Sequence, residues 1–107
     1  MHGIEVENTG ETMRAKMRGE FDFSSLEDLR RVLDDLASLK KPVNVDLSEV
    51  TFFDLQIARE LAVYSRLYGH YFAFRDPSWQ ACRSIRACGL EGWIWTQRES
   101  LVFSAAS

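Results

Sequence analysis

Apolar residues fall along the chain in two rhythms. Between Thr12 and Arg18, Met13, Ala15 and Met17 alternate with Arg14, Lys16 and Arg18. That period of two is the pattern of a half-buried strand with a basic outer face. Ile4 to Glu7 precedes it across Glu7-Asn8-Thr9-Gly10-Glu11, where Asn and Gly supply turn chemistry, so two adjacent antiparallel strands are predicted. The rhythm then lengthens. Leu26, Leu29, Leu33 and Leu36 recur at three- and four-residue spacing, with Glu27, Asp28, Arg30, Arg31, Asp34 and Asp35 on the remaining positions, which predicts an amphipathic helix. Ser24 and Glu27 read as a capping box at its start. Lys40 and Lys41 suit the negative pole of the helix dipole at its end, and Pro42 stops it.

Val43-Asn44-Val45-Asp46-Leu47 is a short, β-branched strand between two helical patterns, in the position of a central strand. After Asp54 a second helix runs through Ile57, Leu61, Tyr64, Ser65 and Tyr68, with Gly69 placed to stop it. Tyr71-Phe72-Ala73-Phe74 is the next strand. Asp76 and Pro77 read as the cap and first turn of a third helix carrying Trp79, Cys82, Ile85 and Arg86 and ending at Gly89. Trp93-Ile94-Trp95 is a final short strand. Thr96 and Glu99 form a capping box for a last helix with Leu101, Val102 and Ala105 on one side. The predicted order is β-β-α-β-α-β-α-β-α. Strand–helix–strand units favour parallel pairing, and the opening pair makes the sheet mixed: an α/β fold whose sheet is covered by helices.

Composition narrows the class. The chain has 107 residues, the size of one domain, so residues 1–107 are expected to form a single unit. Leu, Ile, Val and Phe number 29, about 27% of the chain and above the roughly 20% below which charged chains stay disordered. No stretch of 18 apolar residues predicts a membrane span, and the opening residues lack the features of a signal peptide, so a cytoplasmic protein is expected. The net charge of −3 argues against nucleic acid as a partner. Residues 1–60 carry 13 acids and 8 bases, and residues 61–107 carry 3 acids and 5 bases, a mild dipole able to orient a partner. Cys82 and Cys88 are too few for a disulfide scaffold. On one helix they would stand about 9 Å apart along the axis, beyond disulfide reach, so buried, inert thiols are expected.

Catalytic constellations are missing from the sequence. The six glycines form no phosphate loop, and there is no G-x-S-x-G elbow. His2 stands at an expected mobile end, and His70 follows a helix stop. Asp22, Asp46 and Asp54 are the acids nearest to a cation set, but capping or solvated roles account for Asp22 and Asp54 more simply. No enzyme activity, metal or cofactor is expected.

Three segments carry a resemblance. Gly19-Glu20-Phe21-Asp22-Phe23-Ser24 resembles the G-E-L-D stretch of STAS domains, the anti-sigma-factor antagonist family. The run from Val45 to Asp54 is similar to that family's central strand and loop, of the form V-D-L-S-x-V-x-F-I-D. Cys88-Gly89-Leu90-Glu91-Gly92-Trp93 looks like its helix end, T-G-L-x-x-L, and the element order matches over about residues 4–103. The resemblance implies a module that works by docking onto a protein partner. In the family's best-known members a serine or threonine two places after the acid of a D-S-S/T-G stretch is phosphorylated by an anti-sigma kinase. The unphosphorylated form captures that kinase, and phosphate abolishes the capture. Here Asp54 matches the acid, Leu55 and Gln56 the next two places, and Ile57 the usual glycine. Gln56 therefore occupies the accepting position without a hydroxyl. Ser48 and Thr51 carry hydroxyls nearby but stand outside that position.

The expected function is a non-enzymatic, protein-binding STAS module. Its docking face would comprise Asp22 and Ser24, then Asp54, Leu55 and Gln56, then the outward side of the second helix at Arg59, Glu60 and Val63, a mixture suited to a partly polar interface. The resemblance allows an anti-sigma factor, a larger signalling assembly or the ATPase side of a lipid transporter as partner. The alternative is a small-ligand or lipid carrier, for which the seven Phe, three Trp and three Tyr offer a lining, although such residues more often fill a core.

Overall fold

The computed structural model describes residues 2–89. They fold as β1 (His2–Asn8), β2 (Met13–Phe21), a 3-10 turn (Phe23–Ser25), α1 (Leu26–Ser38), β3 (Val43–Phe53), α2 (Leu55–Leu67), β4 (Phe72–Arg75) and α3 (Trp79–Ala87). The strands form one sheet in the order β1-β2-β3-β4, with β1 antiparallel to β2 and the other neighbours parallel. This is the mixed α/β arrangement that the alternating rhythms predict. The strand expected at 93–95 and the helix after Thr96 lie outside the described residues.

One face of the sheet is apolar because alternate strand positions are. Met13, Ala15, Met17 and Phe21 of β2 join Val43, Val45, Leu47, Val50 and Phe53 of β3 and Phe72 and Phe74 of β4. Against them pack Leu26, Leu29, Leu33 and Leu36 of α1, Ile57, Leu61 and Ala62 of α2, and Ala81 and Ile85 of α3. The aromatic rings meet each other, Phe21 with Phe53 at 6.3 Å and Phe72 with Phe74 at 6.4 Å. All four rings are fully buried and pack in these two pairs as part of the core.

The opposite face is a lattice of ion pairs. Arg14 meets Asp46 at 2.8 Å, Lys16 meets Glu49 at 3.1 Å, and Arg18 meets both Glu5 and Glu49. Burial would raise the Asp46 carboxyl, but hydrogen bonds from Ser48 and from Arg14 outweigh it and hold the group below its ordinary value of 3.8. A carboxyl whose folded value is depressed stabilises the fold fully above the ordinary value, and that contribution is lost as pH falls through the lowered one. Urea midpoints measured from pH 5 down to pH 2.5 should therefore fall more steeply for the parent than for Asp46→Asn. Parallel curves would remove Asp46 from the acid response.

The structure corrects several boundaries. β3 does not stop at Leu47 but continues to Phe53, so Ser48 and Thr51 are exposed strand residues rather than strand-end or loop residues. β4 pairs only with Val43 to Asp46, and α3 serves the rest of that edge. The Ser78 N–H donates to the Leu47 carbonyl at 3.1 Å, the Ser78 hydroxyl donates to the Val50 carbonyl at 2.6 Å, and the Ser84 hydroxyl accepts from the Phe53 N–H at 3.4 Å. Backbone groups at a sheet edge need partners, and two serine side chains help to supply them. Ser78, not Asp76, is consequently the cap of α3, accepting from the Ala81 N–H, while Asp76 turns the chain at φ 51°. The expected box of Ser24 and Glu27 is likewise replaced, by Asp22 and Ser25 around the 3-10 turn. His2 is not at a loose end. Its ring packs 5.4 Å from Phe21 and bonds the Asp28 carboxylate at 3.0 Å. Cys82 and Cys88 are half-buried rather than buried, and burial raises the Cys82 thiol against a smaller opposing effect of Arg86.

Candidate functional site

The sheet register brings two loops together. Phe21 at the end of β2 stands opposite Phe53 at the end of β3, and the Asp54 N–H donates to the Phe21 carbonyl at 3.1 Å. The turn beginning at Asp22 and the start of α2 therefore share one end of the sheet. Each is stiffened by its acid. The Asp22 carboxylate accepts from the Ser24 hydroxyl at 2.5 Å and from the Ser24 N–H at 2.9 Å, and those bonds, the hydroxyl's first, hold it below its ordinary value. Ser25, fully buried, closes the turn by accepting from the Asp22 N–H and donating to the Asp22 carbonyl. Asp54 caps α2, accepting from the Ile57 N–H at 3.1 Å.

Leu55 and Gln56 follow in the first turn of α2, both exposed. Successive four-residue steps then align Leu55, Arg59, Val63 and Leu67 as an exposed stripe. Gln56 starts the adjacent row, which continues through Glu60 and Tyr64 toward α1. Glu60 is thus not on the outward side, where the sequence reading puts it. Its side chain is 17% exposed and takes a two-pronged bond from Arg30 of α1, at 2.9 and 3.2 Å. The Tyr64 hydroxyl below it donates to Asp34, and burial followed by that bond pushes the phenol well above its ordinary range.

Asp22, Ser24, Asp54, Leu55 and Gln56 are therefore gathered at one end of the molecule, with Arg59 and Val63 running away from it and Glu60 turned into the helix seam. Asp46 is remote, eight residues back along β3 from Asp54, or about 25 Å of extended chain. The three acids do not converge on one point. Besides Leu55 and Val63, the exposed large apolar residues among those described are Phe23, Phe52 and Leu67, with Val6, Leu39 and Trp79 as well; the sequence reading names none of these six as a docking residue. Leu67 carries the signal of its four-residue step from Val63. Phe23 falls within the 22–24 loop that the sequence reading places on the docking face, and the 3-10 turn leaves its ring outside.

This arrangement offers exposed apolar side chains on a stiff frame, interleaved with charges. Among the described residues no helix is long and apolar enough to cross a membrane. A family model described as "Mlab, STAS domain" matches residues 4–101. An anti-sigma factor antagonist from Mycobacterium paratuberculosis superposes with a TM-score of 0.77 at 18% identity, over 100% of this chain and 96% of that one. The anti-sigma factor antagonist SpoIIAA, in its unphosphorylated form, gives 0.66 at 15% identity, over 85% of this chain and 84% of that one. At such identities these likenesses concern the fold. No curated protein matches the chain. The family match spans nearly every predicted and observed element: the chain belongs to the STAS domain family.

Proposed function

We propose that this chain is a non-enzymatic docking module that binds a protein partner through Asp22, Ser24, Asp54, Leu55, Gln56, Arg59 and Val63, with Glu60 bracing α2 from behind. The observation that carries this reading is the juxtaposition of the Asp22 turn and the α2 start, locked by the Asp54–Phe21 backbone bond and surrounded by exposed apolar residues. An anti-sigma factor, or a larger signalling assembly, is the partner class that the family and the solved antagonists suggest. Gln56 stands in the position where relatives accept phosphate, and an amide cannot be phosphorylated, so binding here is independent of ATP and kinase. A carrier role is less well supported, since the buried aromatic rings pack on each other.

Affinity capture from source cells, with the partner identified and its binding then titrated, tests the surface. Val63→Asp should weaken binding about tenfold or more by desolvating a charge, and Arg59→Ala by a few-fold, as exposed charges do. Glu7→Ala, on the ion-paired face, should bind as the parent does. Unchanged affinity in both α2 variants would move the surface elsewhere.

A further inference from the structure

Resting on that docking reading, we infer that Phe23 is the anchor of the interface and that its partner presents an apolar pocket bordered by Lys or Arg. Phe23 leaves 70% of its surface exposed although it lies two residues from fully buried Ser25 on one side and two from fully buried Phe21 on the other. A large ring held in water is unfavourable for the isolated chain, and nothing in the turn requires an aromatic there: the fixing bonds belong to Asp22, Ser24 and Ser25. The same bonds hold the backbone on both sides of Phe23, so little freedom is left to lose on docking. A rigidly presented aromatic is the profile of a residue that dominates binding energy.

The charges around it select the partner. From Glu20 to Glu27 the chain carries three acids, Glu20, Asp22 and Glu27, all exposed, and no base. The α2 stripe beside it carries Arg59 and no acid. The face is thus acidic on the Phe23 side and neutral to basic along α2. A pocket receiving Phe23 would be complementary if Lys or Arg lined its rim, which also hastens encounter at low salt. Exposed Leu55 and Phe52 stand in the chain on either side of Asp54, whose N–H reaches the Phe21 carbonyl, and add apolar surface at this end of the sheet.

Photo-crosslinking in extract of the source cells tests this with the full chain. Phe23→p-benzoylphenylalanine, Gln56→p-benzoylphenylalanine and a remote control, Asp35→p-benzoylphenylalanine, are irradiated and the joined peptides sequenced. Crosslinks from 23 to an apolar protein segment flanked by Lys or Arg, with none from 35, are expected. Phe23→Ala should also lower affinity for the identified partner by about 30-fold or more, with weaker binding at higher salt. Crosslinks from 56 but not from 23, or from 23 to an acidic segment, a lipid or a second copy of this chain, would overturn the anchor. The first of these would leave the docking face standing; no crosslink from either position would overturn both.

Discussion

Gln56→Asp is expected to fold as the parent does and to bind the partner about 10²–10³-fold more weakly. Position 56 lies in the first turn of α2, where backbone N–H groups have no intrahelical acceptors and the helix dipole favours negative charge. An aspartate there is therefore tolerated in the free protein. In the complex the same carboxylate would be desolvated beside exposed Leu55 and in the row it shares with Glu60, away from the acidic turn where basic groups of the partner are expected. An unpaired buried charge costs about 3–5 kcal/mol, which sets the size of the loss. Gln56→Ser changes bulk without adding charge and should bind about as the parent does. Titration of the three proteins against the captured partner, with circular dichroism as the folding control, decides the matter: equal affinities would place position 56 outside the interface. Phosphate found on Ser48 or Thr51 in cells, with loss of binding, would move the switch to β3.

Much of this architecture is legible in the sequence because it rests on periodicity. The Met13–Ala15–Met17 alternation and the Leu26–Leu29–Leu33–Leu36 spacing each bury the face they predict. Asp54 as the cap of α2 is equally readable, since an acid just before a helical pattern has few other roles. What escaped depends on tertiary partners. β3 runs past Leu47 because β2 on one side and the serines of α3 on the other continue to satisfy its backbone, and no local pattern announces them. Ser78 became the cap of α3 for the same reason, being held in place by Val50. Glu60 looked outward until Arg30 of a different helix was placed beside it. His2, so near the chain's start, is held by Phe21 and Asp28, both distant in sequence. The docking face is proposed from its helix cap and its likeness to a family; the 22–24 loop belongs to that reading, but the exposure of the Phe23 ring depends on a 3-10 turn that no local pattern announces.

Phe21→Ala should remove about 3–5 kcal/mol of stability, a large share of the 5–15 kcal/mol typical of a domain. Phe21 is fully buried, its ring meets those of His2 and Phe53, and it ends the strand that carries the docking turn. Truncation leaves a cavity between the sheet and its helices at a place where the backbone is pinned by the bond from Asp54 and cannot collapse freely. The urea midpoint should drop by about 2 M with an unchanged slope, since the surface exposed on unfolding hardly alters. Two residues later the chemistry reverses. Phe23→Ala removes a ring that the fold does not bury, and its stability should stay within about 0.5 kcal/mol of the parent. The pair separates the two duties of this short segment. One phenylalanine keeps the sheet end together, and the other is available to a partner. Equal destabilisation by both substitutions would put Phe23 in the core and leave the interface without its anchor.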